Sequence, residues 1–383
     1  MRWMVSINDL DAVQARVIEE ILDNRDRNHW VKGFAGSGKT IVLTHVLERL
    51  ATTTPPVKVC FATFTHALKD LVESGLSEHA KERIHISTFN GLGKLRNDYD
   101  IVVADEMQDI PSRILPTLAR KSDVLVIAAD MDQSIYRSAC SIAELRSSVY
   151  PAIEHRLPEI HRINETVFDI ATTIYSDAEV VGQRLARDDN DPAHLYEGDS
   201  MHDEFVIMFE EAVRVSAKAS PSASLLPSKA LLDKFVATIS KAQSYKGTPP
   251  SVKDGDRPEP GELADPFRET NDYLRRNKSP LQVFGGGSGS LYESDSKKMV
   301  YLMTYHSAKG LDFSNVFLPH LTDDVSLEPM KGASDDQERR LFFVAATRAR
   351  ERLYLSYHGE PHRFIEEIPD YLLETFKKKK RTY

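Results

Sequence analysis

The sequence has only two cysteines, Cys60 and Cys140, too few for a zinc cage, a four-thiolate cluster or a disulfide framework. A reduced, cytoplasmic setting is the expectation. Long apolar runs are missing too. The longest are Val124–Ala129 and Leu341–Ala346, against the roughly 20 residues that a membrane-spanning helix needs, so no membrane partner is expected. Met1-Arg2-Trp3-Met4 leads into no apolar segment of the secretory type. Positive charge is in deficit: the net charge of −9 argues against a generally basic nucleic-acid coat while leaving room for a local basic track. What remains is ordinary globular composition, 41% hydrophobic and 28% charged, in 383 residues. At roughly 150 residues per domain, two domains are expected.

Strand-length apolar runs recur through the first half: Trp30–Lys32, Val57–Thr63, Ile101–Ala104 and Val124–Ala129. Between them lie stretches with helical spacing, such as Thr40–Leu50. Strands apolar on both faces and separated by helices predict α/β architecture, a parallel sheet covered on both sides. The pattern returns late, with Met299–Thr304, Val316–Leu318 and Leu353–Ser356 as strands and Gln337–Ala349 as a helix. Residues 1–150 and 151–383 are therefore read as two domains joined near Ser147–Leu157. Ser216–Asp265, rich in Ser, Pro and Lys, reads as an insertion or irregular flank carrying one helix, Ser228–Ile239. Gly285–Ser290 (GGGSGS) reads as a flexible linker, native or engineered. The basic run Lys377–Arg381, within a tail of residues 377–383, reads as a solvated end, with a nucleic-acid arm as the other reading.

The sharpest local signal is Gly33-Phe-Ala-Gly36-Ser37-Gly38-Lys39-Thr40, after a strand and opening a helix. Glycines let backbone N–H groups curl around a phosphate, and the helix N-terminus adds its positive end. Lys39 would bridge the β- and γ-phosphates of ATP, and the Thr40 hydroxyl would hold Mg2+. Such an ion also needs a carboxylate at the end of a neighbouring strand. Asp105, after Ile101–Ala104, supplies one, and Glu106 beside it would orient and deprotonate an attacking water. A kinase would need no such water-activating acid, so hydrolysis is the expected reaction.

Eight segments in order extend the pattern. Asp105-Glu-Met-Gln-Asp109 and Asp130-Met-Asp-Gln133-Ser-Ile-Tyr136 resemble motifs II and III of the UvrD/Rep/PcrA-type superfamily 1A helicases. Gln14 resembles that family's adenine-reading glutamine. Phe64-Thr65-His66-Ala67 and Ser87-Thr88-Phe89-Asn90 resemble its two DNA-contacting motifs of the first domain. His161-Arg162, Thr304–Phe313 and Gln337–Arg350 resemble motifs IV, V and VI. The resemblance implies two RecA-like domains with ATP in the cleft between them and translocation 3′ to 5′ along single-stranded DNA. Further implied are a γ-phosphate sensor at Gln133 and two γ-phosphate arginines, Arg162 and Arg348, reaching in from the second domain. Gly310 and Asp312 fall in the ribose-touching segment, and His161 at the place of the adenine-stacking tyrosine. Phe64, Thr65, Thr88, Tyr136 and His306 are the candidates for nucleic-acid contact, although Phe64 and Phe89 could equally be core.

The sequence also departs from that family. Ile41 and His161 stand where an arginine and a tyrosine usually clamp the base, and Asp312 replaces a glutamate. Tyr136 is followed by Arg137, Ser138 and Ala139, without the usual stacking aromatic. Only Leu92–Ala104 separates Gly91 from Asp105, where the family inserts a helical subdomain. Two readings result: a DNA-stimulated motor that translocates and unwinds, with RNA as an alternative track, or an ATP-operated regulatory subunit that controls a partner such as a nuclease.

Overall fold

The computed structural model describes residues 4–92, 98–136, 139–178, 180, 182–217, 220–251, 267–285, 298–328 and 332–377. The chain divides into two compact units. The first holds Arg2–Arg162 and Glu179–Ala186, the second Ile163–Ala178 and Arg187–Tyr383.

Among the described residues, the first unit carries six strands in one sheet. They are β1 (Asn28–Gly33), β2 (Val59–Thr63), β3 (Ile84–Thr88), β4 (Tyr99–Ala104), β5 (Ser122–Ala129) and β6 (Ala152–Leu157). Their order is β3-β2-β4-β5-β1-β6, every pair parallel. Alternate residues serve opposite faces. Val31, Phe61, Val103 and Val126 pack beneath the helices Ala12–Asp23 and Lys39–Leu50, whereas Trp30, Cys60, Val102 and Ile127 pack against Leu118 and Leu145 on the other side. This two-sided burial explains why the strands read as unbroken apolar runs. A small parallel pair, β7 (Glu159–Ile160) with β8 (Arg184–Leu185), completes the unit.

The second unit carries β9 (Ala193–Gly198), β10 (Ser222–Leu226), β11 (Leu281–Val283), β12 (Val300–Thr304), β13 (Phe313–Leu318), β14 (Ala349–His358) and β15 (Leu373–Lys377). They form a parallel sheet in the order β11-β12-β10-β13-β14-β9-β15. The helices Met201–Val215, Lys229–Ala242 and Arg268–Arg276 bury Phe205, Met208, Phe235, Ile239 and Leu274 against it.

Two expectations need correction. The join does not fall at residue 150: Ala152–Leu157 is a strand of the first sheet, paired residue for residue with β1, and the division comes after Arg162. Nor is Ser216–Asp265 an irregular flank over its described part. Ser222–Leu226 lies between β12 and β13 with every residue buried, and the helix Lys229–Ala242 packs on that sheet. Residues 252–265 of that segment lie outside the described residues, as do 286–290 of the GGGSGS run and 378–383 of the tail. Both cysteines are free and buried, and burial pushes the Cys60 thiol up to about 12. No helix among the described residues is long and apolar enough to cross a membrane.

Candidate nucleotide site

The carboxyl ends of β4, β5 and β1 lie side by side, and the chemistry gathers there, as it does in open parallel sheets. After β1 the chain turns through Gly36 at φ +83° and Gly38 at φ +86°, a left-handed region that glycine enters without penalty. Space makes a second demand. A Cβ on Gly36 would stand 2.6 Å from the Arg162 Cβ, and one on Gly38 would collide with the Gln14 amide. Lys39, buried at the start of the helix Lys39–Leu50, donates from Nζ to the Gly33 and Phe34 carbonyls at 2.7 and 3.1 Å and lies 3.6 Å from Asp130 Oδ2. Thr40 Oγ1 donates to Asp105 Oδ2 at 2.6 Å.

The acids are knitted together. Glu106 stands at φ +57°, with its N–H donating to Asp105 Oδ1 at 2.8 Å. Gln108 Nε2 donates to Glu106 Oε2 at 2.5 Å, and Gln108 Oε1 accepts from the Asp130 N–H at 3.1 Å. Gln133 Nε2 donates to Asp130 Oδ2 at 2.5 Å. Gln108 and Asp130 thus connect the Glu106 side of the site to the Lys39 side. Motif spacing contained both residues without giving either a role.

Burial, and then the neighbouring Glu106 charge, push the Asp105 carboxyl up to about 6 from an ordinary 3.8, against the bond from Thr40. The folded protein therefore binds this proton more tightly than the unfolded chain does. In metal-free protein, the Asp105 contribution to stability should fall as pH rises from about 4 to about 6. Chemical denaturation across that window checks this, and Asp105→Asn should flatten the difference.

The residues present fit ATP and Mg2+. The loop offers two positive-φ glycines and a buried Ser37 hydroxyl without a hydrogen-bond partner among the described residues. Thr40 and Asp105 offer the hard oxygen donors that Mg2+ prefers.

Other expected residues stand as follows. Gln14 is buried and spends both ends of its amide locally: Nε2 donates to Ser37 O at 3.0 Å and Oε1 accepts from Asp11 N at 3.2 Å, closing a capping box. It props the loop here, and reading adenine would require it to release one of these bonds. His161 lies at the same loop, its N–H donating to Gly36 O at 3.0 Å and its Nε2 2.8 Å from Asp11 Oδ2. Arg162 belongs to the first unit, beside Gly36, and not to the second as expected.

Arg348, Gly310 and Asp312 fall in the second unit. The Arg348 guanidinium is buried and donates to Val344 O, Leu311 O and Thr347 Oγ1 at 2.8, 3.2 and 3.2 Å. Gly310 takes φ +79°, and Asp312 lies 3.5 Å from Arg350 Nε. Arg348→Ala should cost about 2–4 kcal/mol through a cavity and orphaned carbonyls. Thermal unfolding reads this, and an unchanged melting midpoint would return the guanidinium to a purely catalytic role.

Of the nucleic-acid candidates, Phe64 and Tyr136 pack ring on ring at 4.6 Å, half-buried. Burial and the charges of Asp109 and Glu106 push the Tyr136 phenol upward. Thr65 caps the helix His66–Gly75, and the Thr88 hydroxyl accepts from Gly91 N at 3.3 Å. Phe89 is core. His306 lies 3.5 Å from Glu328 and is pushed down by burial. Arg137 and Ser138 lie outside the described residues.

Together, the glycine turn between a buried strand and a helix, the acids ending β4 and β5, and the second parallel sheet define a P-loop NTPase fold of two RecA-like units. Residues 14–139 match the AAA domain family, and residues 287–360 match the UvrD-like helicase C-terminal domain. ATP-dependent DNA helicase PcrA of Bacillus subtilis is 43% identical over 104 residues, covering 24% of this chain and 14% of that protein. PcrA of Staphylococcus epidermidis is 37% identical over 105 residues, covering 23% and 14%. The chain is similar to UvrD/PcrA-type superfamily 1 helicases in these segments, and the matches span 14% of either relative's length. A solved arterivirus helicase, that of PRRSV, aligns over 92% of this chain and 56% of its own, with 14% identity and a TM-score of 0.44.

Proposed function

We propose that this chain is an ATP-dependent motor on nucleic acid, hydrolysing ATP to move 3′ to 5′ along single-stranded DNA and to separate duplex ahead of it. The observation that carries the reading is the hydrogen-bonded network joining Thr40–Asp105, Glu106–Gln108 and Asp130–Gln133, with the Lys39 ammonium 3.6 Å from Asp130.

In this reading, the backbone N–H groups of Gly36–Thr40 bind the phosphates, and Lys39 leaves its carbonyl partners to take up γ-phosphate charge. Thr40 and Asp105 would hold Mg2+, which neutralises phosphate charge when bound. Glu106, held by Gln108, orients a water and accepts its proton as that oxygen bonds to the γ-phosphorus. The bond to the bridging oxygen breaks, and its electron pair leaves with ADP. Gln133 and Arg162 donate hydrogen bonds to the transferring group, spreading its charge. The nucleic-acid track on the first unit would pass the carboxyl ends of β2 and β3, where Phe64, Thr65, Tyr136 and Thr88 stand; within the second unit, His306 is the candidate contact.

The test is phosphate release with and without single-stranded DNA or RNA, together with strand displacement on 3′-tailed, 5′-tailed and blunt duplexes. Stimulation by single-stranded DNA and a 3′-tail requirement are expected. Turnover indifferent to every nucleic acid would overturn the motor, and a 5′-tail requirement would overturn the polarity.

The short passage from β3 to β4, with no inserted subdomain, favours one second reading: an ATP-operated switch governing a protein partner such as a nuclease. Stable copurification of that partner, with ATP turnover but no strand displacement by the isolated chain, would favour it.

A further inference from the structure

We propose that Glu204, His320 and His358 form a binding site in the second unit for a borderline divalent transition-metal ion, Zn2+ being the best fit. The inference is independent of the nucleotide chemistry above.

Glu204 lies in the first turn of the helix Met201–Val215, and it is 1% exposed. Its carboxylate meets the residues that end two neighbouring strands, His358 closing β14 and His320 just past β13. One oxygen is already held. Oε1 accepts from Ser356 Oγ at 2.7 Å and from the His320 N–H at 2.5 Å. The other, Oε2, faces two imidazoles, 2.7 Å from His358 Nδ1 and 3.7 Å from His320 Nδ1. The three donor atoms lie within 4.8 Å of one another.

A second observation points to a ligand. His320 is 6% exposed, and its Nδ1 is shut off from solvent without a hydrogen-bond partner among the described residues. A buried imidazole nitrogen ordinarily has a partner, and this one is aimed at the Glu204 carboxylate. Its ring is fixed edge-on by Phe205 and stacked at 5.2 Å on His358. Gly198, at the end of β9, lets the backbone approach, since a Cβ there would stand 2.9 Å from the Glu204 Cβ.

The donor set selects the ion. Two imidazole nitrogens and one carboxylate oxygen suit Zn2+ and its neighbours, whereas Mg2+ prefers an all-oxygen octahedron. Zinc bonds of about 2.0–2.2 Å in tetrahedral geometry place donors about 3.3 Å apart. The observed 2.7 and 3.7 Å from the carboxylate straddle that spacing, and all three donors already lie within 4.8 Å of one another. Ser356 and the His320 amide act as the outer shell that turns Oε2 toward the ion. A water completes the coordination from the side of His358, whose side chain is 26% exposed and gives the ion its way in. The bound ion ties the start of the helix Met201–Val215 to the ends of β13 and β14.

The test uses the full chain without an affinity tag, stripped with chelator and re-equilibrated with Zn2+ in excess Mg2+. Metal content, melting midpoint and the visible spectrum of the Co2+ form are then measured. One Zn2+ per chain, a raised midpoint undisturbed by Mg2+, and a tetrahedral Co2+ spectrum are expected. His358→Ala should weaken binding by more than about 100-fold, beyond the roughly 10–100-fold that loss of an outer-shell partner costs, as in Ser356→Ala. Should His358→Ala fail to fold, Ser356→Ala and the Co2+ spectrum still decide. Substoichiometric zinc, or affinity unmoved by both Ser356→Ala and Glu204→Gln, would overturn the site.

Discussion

Lys39→Ala is expected to abolish ATP turnover while leaving the fold in place. The ammonium is the one cation that the described loop places against the Gly33 and Phe34 carbonyls and Asp130. Those partners compensate a buried charge, and they are also groups that a phosphate can displace. Truncation removes a preorganised positive charge from the position where γ-phosphate charge would develop. Loss of a single such donor costs about 10²–10³ in rate, and loss of nucleotide affinity should add to it. The structural cost is smaller. Asp130 keeps its bonds to Gln133 and to the Asp132 N–H, and each carbonyl left short of a partner costs about 1–3 kcal/mol. Phosphate release, nucleotide titration and thermal unfolding separate these effects. A variant that hydrolyses ATP at near wild-type rate would remove the loop from the mechanism, and one that is simply unfolded would show it in the melt.

The parts of the site legible in the sequence are those that are local. The loop Gly33–Thr40 and the pair Asp105-Glu106 are contiguous, and each follows an apolar run that a doubly covered parallel strand demands, so residue type and position could be read together. Among the several strands that the apolar pattern does not mark, two are hidden for opposite reasons. Ala152–Leu157 (AIEHRL) lies at a sheet edge and carries Glu154, His155 and Arg156, so it lacks the apolar run of a central strand. Ser222–Leu226 (SASLL) is central and wholly buried, but its small serines, read beside several prolines, looked like loop. Ser222 and Ser224 are buried nonetheless.

Side-chain partnership was the least legible property. Resemblance implies that Gln14 reads adenine, whereas in the folded chain its amide braces Ser37 and the Asp11 cap. Arg348 likewise sits beside Thr347 as the motif requires, yet its guanidinium is engaged by its own unit's carbonyls. Glu204, His320 and His358 lie too far apart in the chain for any spacing rule, and the parallel register of β13 with β14 is what brings the two histidines together.

Glu106→Gln should separate binding from chemistry, which Lys39→Ala cannot do. Glu106 occupies a left-handed conformation that costs a non-glycine residue about 1–2 kcal/mol. Its amide bond to Asp105 and its side-chain bond from Gln108 hold it there. Glutamine preserves that shape and can accept the Gln108 bond through its carbonyl oxygen, so neither the strand end nor the Thr40–Asp105 pair should move. What disappears is the basic oxygen that takes the water's proton, and positioned general bases contribute about 10²–10⁴ in rate. Turnover should therefore fall by that factor while ATP affinity stays within a few-fold of wild type. Gln108→Ala should give a smaller loss in kcat, since Glu106 keeps its basicity and loses only its brace. Parallel nucleotide titration and phosphate release decide the matter. If Glu106→Gln turns over ATP normally, the proton acceptor is another group; if it loses ATP binding in step with turnover, Glu106 holds the nucleotide complex together, and the division of labour between Lys39 and Glu106 fails.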